Sequence, residues 1–179
     1  MNRNSVTVVT MAIALTVVSI SAAAQMDAED RAEAAAVVKA PITPTQAVQI
    51  AEQSGGRAYA LGMESSRHGN WYEVEVLRNN VPTEVRISPV SGKVLGSSKA
   101  HGEDAADAHA LDRSKLTLTA AIARSERAGN GTAMEATSMG NGDHARVIVD
   151  IVKDKRVTHY RVWMSNNHMH VSRTSHSAG

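Results

Sequence analysis

The sequence predicts an α+β protein made of two similar repeats, each a helix packed on an antiparallel β-meander. Three observations predict it. A capped helix start stands at Thr43-Pro44-Thr45-Gln46, strict alternation runs through Tyr72-Glu73-Val74-Glu75-Val76, and the same order of signals returns further along the chain.

Taken in order, the chain opens with Arg3, an apolar run over Val6–Ile20 and Ser21-Ala22-Ala23-Ala24. A positive start, a short apolar stretch and an Ala-x-Ala end make a secretory signal peptide, so residues 1–24 are expected to be removed. The run is shorter than the roughly 20 residues a membrane crossing needs, and no later run could span. Residues 25–40 are rich in Ala, Asp and Glu with a weak apolar stripe, which reads as a flexible arm or a frayed helix.

The first repeat occupies residues 41–99. Thr43 caps a helix whose first residue is Pro44, and Gln46 reaches back to the Thr43 amide as the second half of a capping box. Ala47, Val48 and Ala51 give that helix its apolar face, and Gly55-Gly56 ends it. Strands are predicted over 58–64, 71–78, 83–88 and 93–97, separated by the turn residues Asn79-Asn80 and Pro89-Val90-Ser91-Gly92. Residues 100–114 are polar and Ala-rich and read as a linker. The second repeat, 115–174, starts at Leu116-Thr117-Leu118-Thr119 and stops its helix near Gly129 and Gly131. Its strands are predicted over 133–139, 145–152, 156–164 and 168–171, with Asn141-Gly142, Lys153-Asp154-Lys155 and Asn166-Asn167 as turns. Residues 175–179 are a tail.

Size adds a constraint. A unit of this length buries only about 60% of its unfolded surface, against nearly 70% for a body of 150 residues. No Cys and no Phe are available to reinforce either half. Residues 147–152 (Val-Ile-Val-Asp-Ile-Val) are apolar on both strand faces and ask for cover on both. The repeats are therefore expected to share an interface rather than swing on the linker.

Composition excludes several functions. Lys plus Arg number 19 against 18 Asp plus Glu, for a net charge of +1, so nucleic acid is not held by bulk charge. The absence of Cys excludes disulfides, thiolate metal sites, iron–sulfur clusters and thiol nucleophiles. No Gly-x-Ser-x-Gly and no phosphate loop is present, and pairs such as Glu73 with Glu75 read as solvated faces. The expectation is a protein that is not an enzyme and needs no cofactor.

Ile42-Thr43-x-x-Gln46-Ala47, Gly55-Gly56, Trp71-Tyr72-Glu73-Val74-Glu75-Val76 and Val85-x-Ile87-x-x-x-x-Gly92-Lys93-Val94-Leu95 together resemble the PepSY domain of exported bacterial proteins. Ser88 and Ser91 stand where the family usually has Asp and Thr. The second copy is more degenerate: Tyr160-Arg161-Val162 lies at the Val-x-Val step and Asn166-Asn167 replaces a Thr-Gly turn. The resemblance implies a tandem PepSY protein, periplasmic or secreted, non-enzymatic, and partnered by another exported or envelope protein such as a peptidase that it restrains or inhibits. It supplies no catalytic residues.

The chemistry-bearing cluster is C-terminal. A two-residue turn at Asn166-Asn167 sets Trp163 opposite His170 and Ser165 opposite His168. His159, Arg161 and Trp163 then share a face with His168 and His170, while Tyr160, Val162, Met164, Met169 and Val171 face the core. Trp and Arg are enriched at interface hot spots, so this face is the expected partner-binding surface, with Trp71 contributing from the first repeat. The alternative is that both Trp residues are packed under the linker or between the repeats. A rival function is metal or small-ligand binding by His168 and His170 with His159 or His176, since imidazoles two apart on a strand can share an ion. A third is an envelope sensing or scaffold role.

Overall fold

The computed structural model describes residues 26–100, 107–112, 114–140, 144–166 and 168–174. Residues 1–25, where a signal peptide is expected, residues 101–106 of the expected linker, the expected turn at Asn141-Gly142, Asn167 and the tail with His176 lie outside them. Three helices and eight strands follow in order: α1 (Ala28–Lys39), α2 (Pro44–Glu52), β1 (Arg57–Ser66), β2 (Gly69–Arg78), β3 (Val81–Ile87), β4 (Val94–Lys99), α3 (Leu118–Gly129), β5 (Thr132–Met139), β6 (Arg146–Lys153), β7 (Arg156–Ser165) and β8 (His168–Arg173). The order helix, then four strands, thus occurs twice.

The strands form one antiparallel sheet in the order β4-β3-β2-β1-β5-β6-β7-β8. The halves meet edge to edge, with Ala60 opposite Thr137, Leu61 opposite Ala136 and Gly62 opposite Glu135. The interface between the halves is thus a strand pairing. Both inner edges are closed by backbone hydrogen bonds, which an exposed strand edge would otherwise leave unpaired.

Local rules account for the elements. The Thr43 hydroxyl accepts from the Gln46 amide at 3.2 Å and the Gln46 side chain accepts from the Thr43 amide at 2.8 Å, completing the expected capping box. Thr117 caps α3 in turn, accepting from Ala120 N at 3.1 Å. At the far end of each helix a glutamate accepts from the first inward residue of the next strand: Glu52 from Ala58 N, Glu126 from Ala133 N. Both contacts sit at β-bulges, between Ala58 and Ala60 and between Ala133 and Glu135. Asn79-Asn80 and Asp154-Lys155 adopt the left-handed conformation at both turn positions, as a two-residue hairpin requires.

Alternation sends Leu61, Val74, Val85, Ala136, Val149 and Val162 to one face, where all are buried. Helices α2 and α3 cover that face and touch each other across β1 and β5. The Tyr72 hydroxyl donates to Ile42 O at 2.8 Å, tying the sheet to the entry of α2. Of the residues apolar on both faces of β6, Ile148 remains partly exposed on the other side.

Two segments are more ordered than an arm and a linker need be. Of the two readings of residues 25–40, a flexible arm or a frayed helix, the helical one is present: residues 28–39 are a helix capped by Asp27, with Ala34 and Val37 buried. Because α2 and α3 already meet over β1 and β5, α1, which packs on the same two strands, lies on the opposite, polar face. The linker is likewise fastened. Residues 107–112 form tight turns, Ala108 packs with Tyr59 and Leu77, and Leu111 is buried. The Arg57 guanidinium donates to the carbonyls of Asp112, Ser114 and Leu116. Chain that has left the first half is thereby held against the first residue of β1.

Candidate functional site

The face opposite α2 and α3 carries the polar chemistry, and strand register decides what meets there. It divides into an acidic half under α1 and a basic, aromatic half at β6, β7 and β8.

In the acidic half, Glu73 stands opposite Gly62 on one side and Arg86 on the other. A cleft of about 360 Å3 lies beside α1, and its lining includes Glu33, Glu64, Glu73, Glu75, Glu135 and Asp107. Burial is the first cause that moves four of its carboxyls, Glu33, Glu64, Glu73 and Glu135, above the ordinary range. Glu33 is pushed up to about 7, first by desolvation and then by Glu64, Glu29, Asp30 and Asp27. Desolvation also raises Glu64, with Glu29 adding and Arg86 opposing, and raises Glu73, with Glu84 adding. Glu135 rises through desolvation and then Asp150, against the pull of His159. Arg86 lies 2.7 Å from Glu84 and 3.7 Å from Glu73, and its guanidinium carbon sits 5.4 Å from the centre of the Trp71 ring. The Trp71 indole donates to Glu73 at 3.4 Å.

The other half is different in sign. Arg146 stands opposite Trp163, and Trp163 opposite His170. The Trp163 and His170 rings stack with centres 5.4 Å apart and planes 18° from parallel. A shallow pocket of about 300 Å3 is lined by His144, Ala145, Arg146, Arg161, Trp163 and Ser172. A stacked, half-buried indole beside two arginines of the same pocket offers both apolar area and charge to an incoming chain.

The expected register across residues 166 and 167 is present, with Trp163 opposite His170 and Ser165 opposite His168. Arg161, Trp163, His168 and His170 therefore share the polar face. His159 also stands there, but its Nδ1 lies 2.6 Å from Asp150 Oδ1, which turns it toward the acidic half. Trp71 is not brought to this cluster. It lies four strands away in the sheet order, about 19 Å at the usual strand spacing, with its own Arg86 and Glu73. Among the described residues, no group of three His, Asp or Glu side chains converges as a metal site, and His176 lies outside them. Arg146 and His144 were missed by sequence reasoning. The signal for Arg146 was available, because a two-residue turn at Asp154-Lys155 carries the register up to Arg146 opposite Trp163.

With this geometry in place, comparison with known proteins is informative for the first half. Residues 41–97 match the family described as the peptidase propeptide and YPEB domain, PepSY. Residues 41–97 form a PepSY domain. It spans α2 to the middle of β4, so it contributes Trp71, Glu73, Glu84 and Arg86 to the polar face. No curated protein matches the chain. A solved structure of a provisionally assigned lipoprotein from Clostridium difficile 630 aligns over 74% of this chain and 94% of its own, at 18% identity and a TM-score of 0.39. Among the described residues no helix is long and apolar enough to cross a membrane.

Proposed function

We propose that this chain is an exported, non-enzymatic protein-binding module that restrains a peptidase through its polar sheet face. The observation that carries the reading is the PepSY domain at residues 41–97, whose family description names peptidase propeptides. Export follows from the leader-like segment at residues 1–24. Restraint on this reading is steric: regular strands, whose backbone groups are already paired, occupy the partner's cleft without offering a loop that can be cut. Trp163, Arg161, His168 and His170 are the contact residues, with His159 bordering them and Trp71 forming a second, separate contact.

The second half is proposed to be a divergent copy of the first. Its support is the return of the same devices 74 or 75 residues later: Thr43 and Thr117 as caps, Glu52 and Glu126 at the bulges, Asn79 and Asp154 in the hairpin turns. Gly56 and Gly131 recur in the same way. An added Cβ at Gly56 would lie 2.7 Å from Leu77 O, and one at Gly131 would collide with Val152 O.

The test is functional. Mature chain is added to a secreted or envelope fraction of the source cells, and cleavage of a fluorescent casein is followed. Cleavage should fall in proportion to added protein, and Trp163→Ala should relieve it. Unchanged cleavage at every protein concentration would remove peptidase restraint from the account.

A further inference from the structure

We infer that the polar face of β6, β7 and β8 receives an acidic, extended peptide segment of the partner protein, seated on Trp163 beside Arg146 and Arg161. This rests on the reading of that face as partner-binding and adds the chemistry of what binds. Four observations carry it.

The first is charge. Among the described residues, the pocket at Trp163 is lined by His144, Arg146 and Arg161 and by no carboxylate. The second is that neither arginine has a hydrogen-bond or ion-pair partner among the described residues. In strands β1–β3 the guanidinium groups are used: Arg86 on two glutamates, Arg57 on three carbonyls and Arg78 on Gly55 O. Guanidinium groups with unused planar donors suit bidentate capture of carboxylates.

The third observation is spacing. Arg146 is paired with Trp163, and Arg161 with Ile148, so the two arginines are diagonal neighbours on adjacent strands. Such positions lie about 7–8 Å apart. Alternate side chains of an extended peptide recur at about 6.8 Å. Carboxylates at positions i and i+2 of one strand-like segment therefore match both guanidinium groups at once, and Trp163, paired with Arg146 and two residues from Arg161, lies beside that line. The fourth is pre-organisation: His170 stacked on Trp163 holds the ring plane, so less freedom is lost when a chain packs on it.

A long polyanion is a poor occupant. The same face carries the acidic residues Glu33, Glu64, Glu73, Glu75 and Glu135 beyond β6, which in either protonation state offer no cation to an anion that extends past the basic half. A short acidic stretch fits within it.

The experiment measures binding of a fluorescein-labelled peptide of alternating Glu and Tyr to the full chain by anisotropy at neutral pH. Probes of the same length with Lys for Glu, and a single-stranded oligonucleotide, are run beside it. Saturable binding of the Glu peptide is expected, weaker as salt is raised. Arg146→Ala and Arg161→Ala should each weaken it about tenfold, and each Arg→Lys variant should retain part of the affinity. Arg124→Ala/Arg127→Ala on the opposite face, at equal loss of charge, should leave it unchanged. Circular dichroism melts confirm that each variant is folded. Wild-type affinity in the Arg146→Ala/Arg161→Ala double variant, equal binding of the Lys peptide, or tighter binding of the oligonucleotide would overturn the inference. Peptide binding without peptidase restraint would leave this site standing and remove the proposed function. Peptidase restraint without peptide binding would do the reverse.

Discussion

Glu33 sits on α1 where the helix crosses the sheet, and protonation of its carboxyl is worth following in detail. Burial and four neighbouring acids move it from 4.5 to about 7. Fully realised, that displacement corresponds to about 3 kcal/mol, but the side chain borders open solvent, and screening reduces the expected effect to about 1 kcal/mol. The sign follows from linkage. Between pH 4.5 and about 7 the folded protein holds a proton that the unfolded chain has lost. The contribution to stability is therefore complete at the acid end and disappears as pH rises through about 7. Glu64, Glu73 and Glu135 are raised as well and act in the same direction. Glu33→Gln removes the charge at every pH. Thermal melts by circular dichroism should show the variant matching wild type near pH 4.5 and melting about 2–4 °C higher near pH 8. A variant that melts with wild type at both pH values, or below it at the higher one, would refute the claim that α1 docks against like charge.

Three other perturbations bear on the fold. Gly131→Ala places a Cβ against Val152 O and 2.7 Å from Ile151 Cγ2, so denaturant unfolding should show a loss of about 2 kcal/mol or more. Arg57→Ala strips donors from the carbonyls of Asp112, Ser114 and Leu116. About 2 kcal/mol should be lost, and limited proteolysis should cut near residues 107–116 sooner. The Ser125 hydroxyl is buried on α3 without a hydrogen-bond partner among the described residues, and Ser125→Ala should raise stability by about 1 kcal/mol in the same denaturant assay.

Much of this architecture can be read from local chemistry. The Thr43 capping box, the alternation of Tyr72, Val74 and Val76, and the two-residue turn that sets Trp163 against His170 each depend on residues close in sequence. What could not be read depends on distance or on small residues. Helix α1 has only Ala34 and Val37 to bury, too little for a visible apolar stripe. The β1–β5 junction is made where Ala60 and Gly62 meet Thr137 and Glu135, residues of expected strands that carry no signal of which strand they pair with. The acidic cleft draws Glu33, Glu64 and Glu135 from three elements, and no spacing rule joins them. Arg57 anchors the linker through backbone carbonyls, which leave no mark on the sequence.

The account stands on one unbroken sheet in which the two halves unfold together. The chain has two Trp residues, Trp71 in β2 and Trp163 in β7, so Trp71→Phe and Trp163→Phe each leave a reporter in one half. Urea unfolding followed by fluorescence in each variant, with circular dichroism on the same samples, measures both halves against the whole. Within each variant, the local and global curves should share one midpoint and one slope. A Trp71 signal that moves at a different urea concentration from the global signal, or a Trp163 signal that does so, would show two bodies and contradict the single sheet.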